Sequence, residues 1–142
     1  MSSLKLGKQL LKYFALFIVG GLLYICMELL YDGSSDWTMF LAGSISFLVI
    51  GGINEWFTWK MSLVLQMLIG AIFITVLELA IGLVFNSDYS IWYYSDKYLN
   101  FKHQICLEFS CLWFLLSGVA IVLDDYLRYW LFHEEKPHYK IL

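Results

Sequence analysis

Residues 61–85 read MSLVLQMLIGAIFITVLELAIGLVF, and Glu78 is the one charged side chain in this run. The run is longer than the roughly 20 residues that an α-helix needs to cross about 30 Å of hydrocarbon. It therefore predicts a transmembrane helix. Glu78 would lie inside the bilayer, where a carboxylate is costly unless it has a role or a partner.

Three further apolar stretches flank this run, and together they predict an all-α integral membrane protein with four transmembrane helices. Ser34 or Ser35 is expected to cap the second helix. A long outer loop, 86–102, separates the third helix from the fourth, and the whole chain forms one transmembrane domain. The helices are expected at about 13–31, 37–57, 61–85 and 103–133.

The composition of the chain excludes several other classes of protein. Of its 142 residues, 61% are hydrophobic and 15% are charged, whereas about a quarter are charged in a typical soluble domain. A formal net charge of -3 argues against binding to nucleic acid, which needs clustered lysine and arginine. Neither an ATP-binding P-loop nor a zinc-hydrolase motif occurs, so we expect no enzymatic activity, no catalytic residue, no cofactor and no metal site.

The distribution of basic residues predicts the orientation in the membrane. Cytoplasmic ends and loops are enriched in lysine and arginine. Two of the nine basic residues, Lys97 and Lys102, lie in the predicted outer loop, and the other seven would share the opposite side. Both termini are therefore expected in the cytoplasm. The seven are Lys5, Lys8, Lys12, Lys60, Arg128, Lys136 and Lys140.

Three glutamates, Glu28, Glu78 and Glu108, fall at comparable depth in the outer half of three different helices. Thr75 shares the helix face of Glu78, and Gln104 precedes Glu108 by one turn. Acidic groups held close together in a medium of low dielectric either retain protons or share a cation, which predicts a cation or proton site. The alternative is structural, with protonated groups that bond across helices or reach the outer interface.

A second polar cluster is predicted at the cytoplasmic edge, between the end of the second helix and the last part of the fourth. Arg128 follows Asp124 by four residues and Asp125 by three, so an ion pair within the helix is available. We interpret the cluster as a network that fixes the helix ends, with an inner gate as the alternative. Its members are Asn54, Glu55, Asp124, Asp125 and Arg128.

The outer loop is too aromatic for a solvated linker, since residues 91–96 read IWYYSD. Indole and phenol rings favour the headgroup level of a bilayer. The loop is therefore expected to lie on the membrane surface. A re-entrant loop that covers the mouth of a site is the alternative.

The third helix, the outer loop and the start of the fourth helix resemble the CmpB family of ABC-transporter type IV proteins, which also takes in the animal transmembrane protein 229 group. The sequences near 37–40, 54–55 and 134–139 are similar to a subgroup from Clostridium-type bacteria. Tyr93 departs from the family pattern, which usually has aspartate there. The matching residues are Leu77, Glu78, Trp92, Tyr94, Ser95, Asn100, Gln104, Ile105, Cys106 and Leu107.

This resemblance implies a permease subunit in the bacterial plasma membrane, in which Glu78 and the outer loop work together. Our leading hypothesis is a small homo-oligomeric permease or channel-like protein that moves a cation or small solute past Glu78. A second hypothesis is an accessory or assembly protein without transport activity, partnered with a separate ATPase or linked to a phage. A membrane enzyme that acts on lipid is a third alternative.

Overall fold

The structure is a computed structural model that describes residues 3–56 and 61–141, except for the side chains of Asp32, Glu55 and Trp56. The described residues form helices joined by loops, together with a single β-bridge between Phe101 and Ile105, and the all-α prediction is confirmed. The helices are α1 (Ser3–Asp32), α2 (Trp37–Gly51), α3 (Ile53–Trp56), α4 (Leu63–Phe85) and α5 (Leu107–Phe132).

Three of these helices, α1, α4 and α5, are long and apolar enough to cross a membrane. Many of their large apolar side chains are exposed on the outside of the bundle; Leu30, for example, is 88% exposed and Val84 68%. Such surfaces would be unfavourable in water and suit contact with lipid chains.

The second helix is shorter than predicted. Its 15 residues reach about 22 Å, which is less than the roughly 30 Å of a hydrocarbon core. The expected helix over 37–57 is interrupted at Gly52, and the short helix α3 follows. Two consecutive glycines weaken the helix here, and Gly51 lies so close to the Asp124 side chain that a Cβ would not fit.

The ends of the other helices also differ from the sequence-based boundaries. Helix α1 begins at Ser3 rather than near residue 13, because its lysine-rich start contains no proline and its leucine, lysine and glutamine residues favour a helix despite Gly7. Helix α5 begins at Leu107 rather than His103, since His103 takes the left-handed conformation with φ of 58°. Asp36, and not Ser34 or Ser35, caps α2 by accepting the amide N–H of Thr38 at 3.0 Å.

The short helix α2 lies at the centre and packs against α1, α4 and α5. Close packing against α1 depends on Gly20 and Gly43, because a Cβ on either glycine would collide with the facing helix. Towards the 51–56 end of the bundle, Ile50, Ile53 and Ile121 form a buried apolar cluster.

The C-terminal segment 133–141 folds back onto the start of α4. It leaves α5 at His133, which has a left-handed φ of 56°. The amide N–H groups of Leu63 and Val64 then donate to the carbonyls of Lys140 and Ile141, at 2.6 and 3.1 Å. These bonds satisfy donors that the first turn of a helix otherwise leaves unpaired.

Candidate functional site

A cavity of about 130 Å³ lies between α1, α2, α4 and α5, and Trp92 of the outer loop contributes to its wall. The described residues of the wall are mainly aliphatic and aromatic. Glu78 of α4 is the acidic residue among them. The carboxyl group that the sequence singled out therefore borders an apolar cavity between helices, and this cavity is partly open to the outside of the bundle.

Two neutral donors hold the Glu78 carboxyl group. The hydroxyl of Tyr94 donates to Oε2 at 2.9 Å, and the indole Nε1–H of Trp113 donates to Oε1 at 3.2 Å. Burial, together with the negative charge of Glu78, raises the pKa of the Tyr94 hydroxyl well above its usual range. Tyr94 therefore keeps its proton and remains a donor to Glu78.

Aromatic rings fix both donors in place. The Tyr94 ring stacks on Phe109 with centroids 4.9 Å apart and planes 11° apart. Trp113 is 5% exposed, and Tyr24 of α1 packs edge-on against it at 5.9 Å. The loop, α1 and α5 are thus joined around the Glu78 side chain.

The outer loop, which spans 86–106 in the structure, is held by a buried asparagine that the sequence analysis did not single out. Asn86 is fully buried, and its Oδ1 accepts the amide N–H groups of Ile91 and Trp92 at 2.8 and 3.2 Å. Its Nδ2 donates to the carbonyl of Trp92 and to Oε1 of Gln104. A polar residue directly after an apolar helix was the signal available in the sequence.

Gln104 completes this frame instead of facing Glu78. Its side chain is 1% exposed and donates to the backbone carbonyl of Asn86 at 2.9 Å. It packs against Gly82, where a Cβ would collide with it. The indole of Trp92 donates to the Gln104 carbonyl at 2.8 Å, so Trp92 is anchored while it lines the cavity.

The other residues of the predicted loop motif act within the loop or lie at its surface. Asn100 donates from Nδ2 to the carbonyl of Lys97 at 3.0 Å, and Ser95 is exposed. The amide of Leu107 donates to the Tyr98 carbonyl, which ties the loop to the start of α5. Of the motif, Trp92 and Tyr94 reach the cavity region.

The three predicted glutamates have different environments. Glu28 is half-buried and hydrogen-bonded to Tyr24, and it lies near enough to Glu78 for the two charges to interact. Glu108 has a side chain 62% exposed and pairs with Lys97 at 3.2 Å. This pair raises the pKa of Lys97. The structure therefore brings Glu78 and Glu28 together and places Glu108 at the surface.

Thr75 lies apart from the carboxyl groups as well. Its hydroxyl is 2.8 Å from the hydroxyl of Ser110, so the pair bonds α4 to α5. The shared helix face with Glu78 did not bring Thr75 to the cavity wall.

At the other end of the bundle, the predicted inner-edge residues form a packed network. Asn54 donates to Oδ2 of Asp125 at 2.8 Å, and Gln66 donates to Oδ1 of Asn54 at 2.8 Å. Tyr139, from the folded-back segment, donates to Asp125 Oδ2 at 2.9 Å. Burial raises the pKa of the Tyr139 hydroxyl, and the negative charge of Asp125 raises it further. Gln66 and Tyr139 were not predicted members, and Glu55 was predicted but lies outside the described side chains.

Ion pairs complete this inner network. Arg128 donates from Nε to Oδ2 of Asp124 at 2.8 Å, and both side chains are at most 4% exposed. Lys12 of α1 pairs with Glu134 at 2.9 Å. The guanidinium of Arg128 also lies over the ring of Tyr13 at 5.6 Å. Lys12 and Glu134 were missed because they are 122 residues apart in the sequence.

The described residues show no feature of a metal centre. Among them, no group of three or more histidine, cysteine, aspartate or glutamate side chains could hold a metal ion. The cysteines are free thiols, with Cys106 buried and Cys26 and Cys111 exposed. Burial raises the pKa of the Cys106 thiol, so the reactive thiolate form is disfavoured.

Spanning-length apolar helices, lipid-suited outer surfaces and a polar group inside the bundle define a helical membrane protein. The sequence model of the family described as "Putative ABC-transporter type IV" matches residues 8–133. The chain therefore belongs to this family, and the resemblance noted from Glu78 and the loop residues is confirmed. Searches of curated proteins and of solved structures gave no match.

Proposed function

We propose that this protein is a permease or channel-like component that moves a cation or small solute past Glu78. One observation carries the proposal: the Glu78 carboxyl group borders a partly open cavity between four helices, and its hydrogen bonds come from neutral donors. An ionisable side chain inside a membrane costs free energy, and such residues typically mark the pathway of a substrate or an ion. The family's association with transport agrees with this function.

The outer loop would act as the gate of this site. Tyr94 and Trp92 connect the loop to the Glu78 carboxyl and to the cavity wall. Movement of the loop would withdraw the Tyr94 hydroxyl and open the cavity on the outer side. The frame of Asn86 and Gln104 would set the stability of the closed loop.

The protein would lie in a bacterial plasma membrane with α2 and α3 as its fourth crossing and both termini in the cytoplasm, in line with the positions of the basic residues. Small residues on its helices favour assembly with further copies of the chain. It would act by binding and transfer rather than by an enzymatic reaction.

An accessory role beside a separate ATPase is a second candidate function. Two observations support it. The family is described as an ABC-transporter type, and the sequence lacks the P-loop with which such transporters bind ATP, so a separate protein would supply it. Under this alternative the purified chain transports nothing alone, and an ATP-hydrolysing protein co-purifies with it at a fixed ratio.

Transport by purified protein in proteoliposomes tests the leading proposal. The probes are labelled sodium, potassium and tetraethylammonium, and the variant is Glu78→Gln, which keeps the shape of the side chain. We expect at least one probe to cross faster than in protein-free vesicles and Glu78→Gln to slow it at least about tenfold. Glu108→Gln is the matched control and leaves the rate unchanged, since Glu108 is at the surface.

Equal transport by Glu78→Gln and the parent protein would remove Glu78 from the mechanism. The absence of any transport by the parent would favour the accessory role.

A further inference from the structure

The walls of the cavity next to Glu78 restrict what kind of cation can bind there. None of the described residues that line it is a lysine, arginine or histidine, so no basic side chain of the wall balances the Glu78 charge. The hydrogen bonds from Tyr94 and Trp113 come from neutral groups, so they do not neutralise the Glu78 carboxyl group when it is ionised. A positively charged ligand is therefore electrostatically complementary to the cavity.

A calcium or magnesium ion fits this cavity poorly. Calcium takes six to eight oxygen ligands, and magnesium requires near-octahedral oxygen coordination. Side-chain oxygens on the described wall come from Glu78, Tyr24 and Ser46, and the Tyr24 hydroxyl is already bonded to Glu28. The wall could not replace the hydration shell of such an ion.

The rest of the wall suits an organic cation. Tyr24, Trp92 and Trp113 present aromatic rings, and such rings attract ammonium groups through the negative potential of their faces. Met27 and Met39 add soft side chains that adapt to the shape of an apolar ligand.

The size of the cavity sets the size of the ligand. An apolar cavity of about 150 Å³ in another protein holds one benzene molecule. The present cavity, at about 130 Å³, is of the same order and would take an apolar body of about one ring.

We propose that the ligand of this cavity is a small hydrophobic ammonium ion, with its nitrogen beside Glu78 and its apolar part between α1, α2 and α5. This inference rests on the proposed function for the role of the cavity, but it concerns the class of ligand. Binding needs no loss of the Tyr94 bond, because a carboxylate accepts more than one hydrogen bond at each oxygen.

The test measures binding to the full-length protein in lipid nanodiscs by calorimetry or tryptophan fluorescence. The probe is benzyltrimethylammonium, and the matched neutral probe is neopentylbenzene, which has the same shape without the charge. We expect the cation to bind at least about tenfold more tightly than its neutral isostere, because charge and aromatic attraction add to apolar burial. Sodium chloride should compete no better than lithium chloride at the same ionic strength, whereas choline, which is itself a quaternary ammonium ion, should compete better than either.

Variants locate the binding site. Glu78→Gln and Trp113→Leu should each weaken binding of the cation at least about tenfold, while Glu108→Gln leaves it unchanged. Thermal unfolding of each variant, and binding to Glu78→Asp, which keeps the charge, control for misfolding. Equal affinity for the cation and the neutral isostere, specific competition by sodium, or full affinity in Glu78→Gln would each overturn the proposal.

Binding and transport separate this inference from the proposed function. If benzyltrimethylammonium binds through Glu78 but no probe is transported, the class of ligand stands and the permease function fails. If sodium or potassium is transported through Glu78 and no ammonium ion binds, the permease function stands and this inference fails.

Discussion

The two ends of the bundle each contain a carboxyl group that accepts a hydrogen bond from a tyrosine outside the spanning helices. Near the outer loop, Tyr94 donates to Glu78 at 2.9 Å. At the other end, Tyr139 donates to Asp125 at 2.9 Å. Each carboxyl group also accepts a hydrogen bond from a second neutral donor. This donor is Trp113 for Glu78 and Asn54 for Asp125. The local hydrogen bonding of the two sites is therefore almost the same.

The two sites differ in the space and the charges around them. Glu78 borders a cavity, and no basic side chain is among the described residues of its wall. Asp125 is 6% exposed and lies next to the buried pair of Asp124 and Arg128. Hydrogen bonding alone does not distinguish a ligand site from a structural network. The cavity beside Glu78, together with the lack of a basic side chain among the described residues of its wall, is what favours a ligand site there.

The largest expected effect comes from breaking the inner network. Arg128→Ala leaves the carboxylate of Asp124, which is fully buried, without its partner. Removal of one member of a buried ion pair costs about 3–5 kcal/mol. We expect a loss of that size in the free energy of unfolding, measured in detergent with denaturant. Stability equal to that of the surface variant Glu108→Gln would show that the network is not structural.

A smaller effect is expected from loosening the outer loop. Asn86→Ala removes the acceptor for two backbone N–H groups and the donor to the Trp92 carbonyl. Each buried group left without a partner costs about 1–3 kcal/mol, but water at the loop can replace most of the lost partners, so we expect a net loss of about 3 kcal/mol in the free energy of unfolding. Amide hydrogen exchange should rise over the loop and remain low in α1 and α2. Unchanged protection of the loop amides would contradict this frame.

The smallest effect compares the two tyrosines directly. Tyr94→Phe and Tyr139→Phe each remove a hydrogen bond to a carboxyl group, worth about 1.5–3 kcal/mol when the acceptor is charged, and less for the more exposed Tyr139. We expect Tyr94→Phe to change ammonium binding or transport and Tyr139→Phe to change stability alone. The converse pattern would place the functional site at the inner end.

The same two tyrosines predict a dependence on pH. Both hydroxyls have pKa values raised above the ordinary value of about 10. Their stabilisation is therefore fully present below about pH 10 and is lost as the pH rises through the raised values. The unfolding temperature of the parent protein should fall above pH 10 more steeply than that of the double variant lacking both hydroxyls. Parallel curves would show that neither bond persists in solution.

The positions of the apolar runs were sufficient to predict an all-α membrane protein and its long loop, because an apolar run of about 20 residues satisfies its own backbone hydrogen bonds in hydrocarbon as a helix. The interruption at Gly52 was not predicted. Gly51 and Gly52 weaken a helix locally, but the Asp124 side chain that packs against Gly51 is far away in the sequence. The late start of α5 likewise depends on left-handed residues in the loop, such as His103.

The sequence by itself determined that Glu78 would be costly in the membrane and that the family pattern linked it to Trp92 and Tyr94. Only the tertiary structure decided which polar residues meet. It placed Glu108 at the surface with Lys97, and it bonded Asn86 to Gln104 across the loop. The physical reason is that depth along a helix follows from the residue number, whereas the direction of a side chain and the space beside it depend on how helices pack.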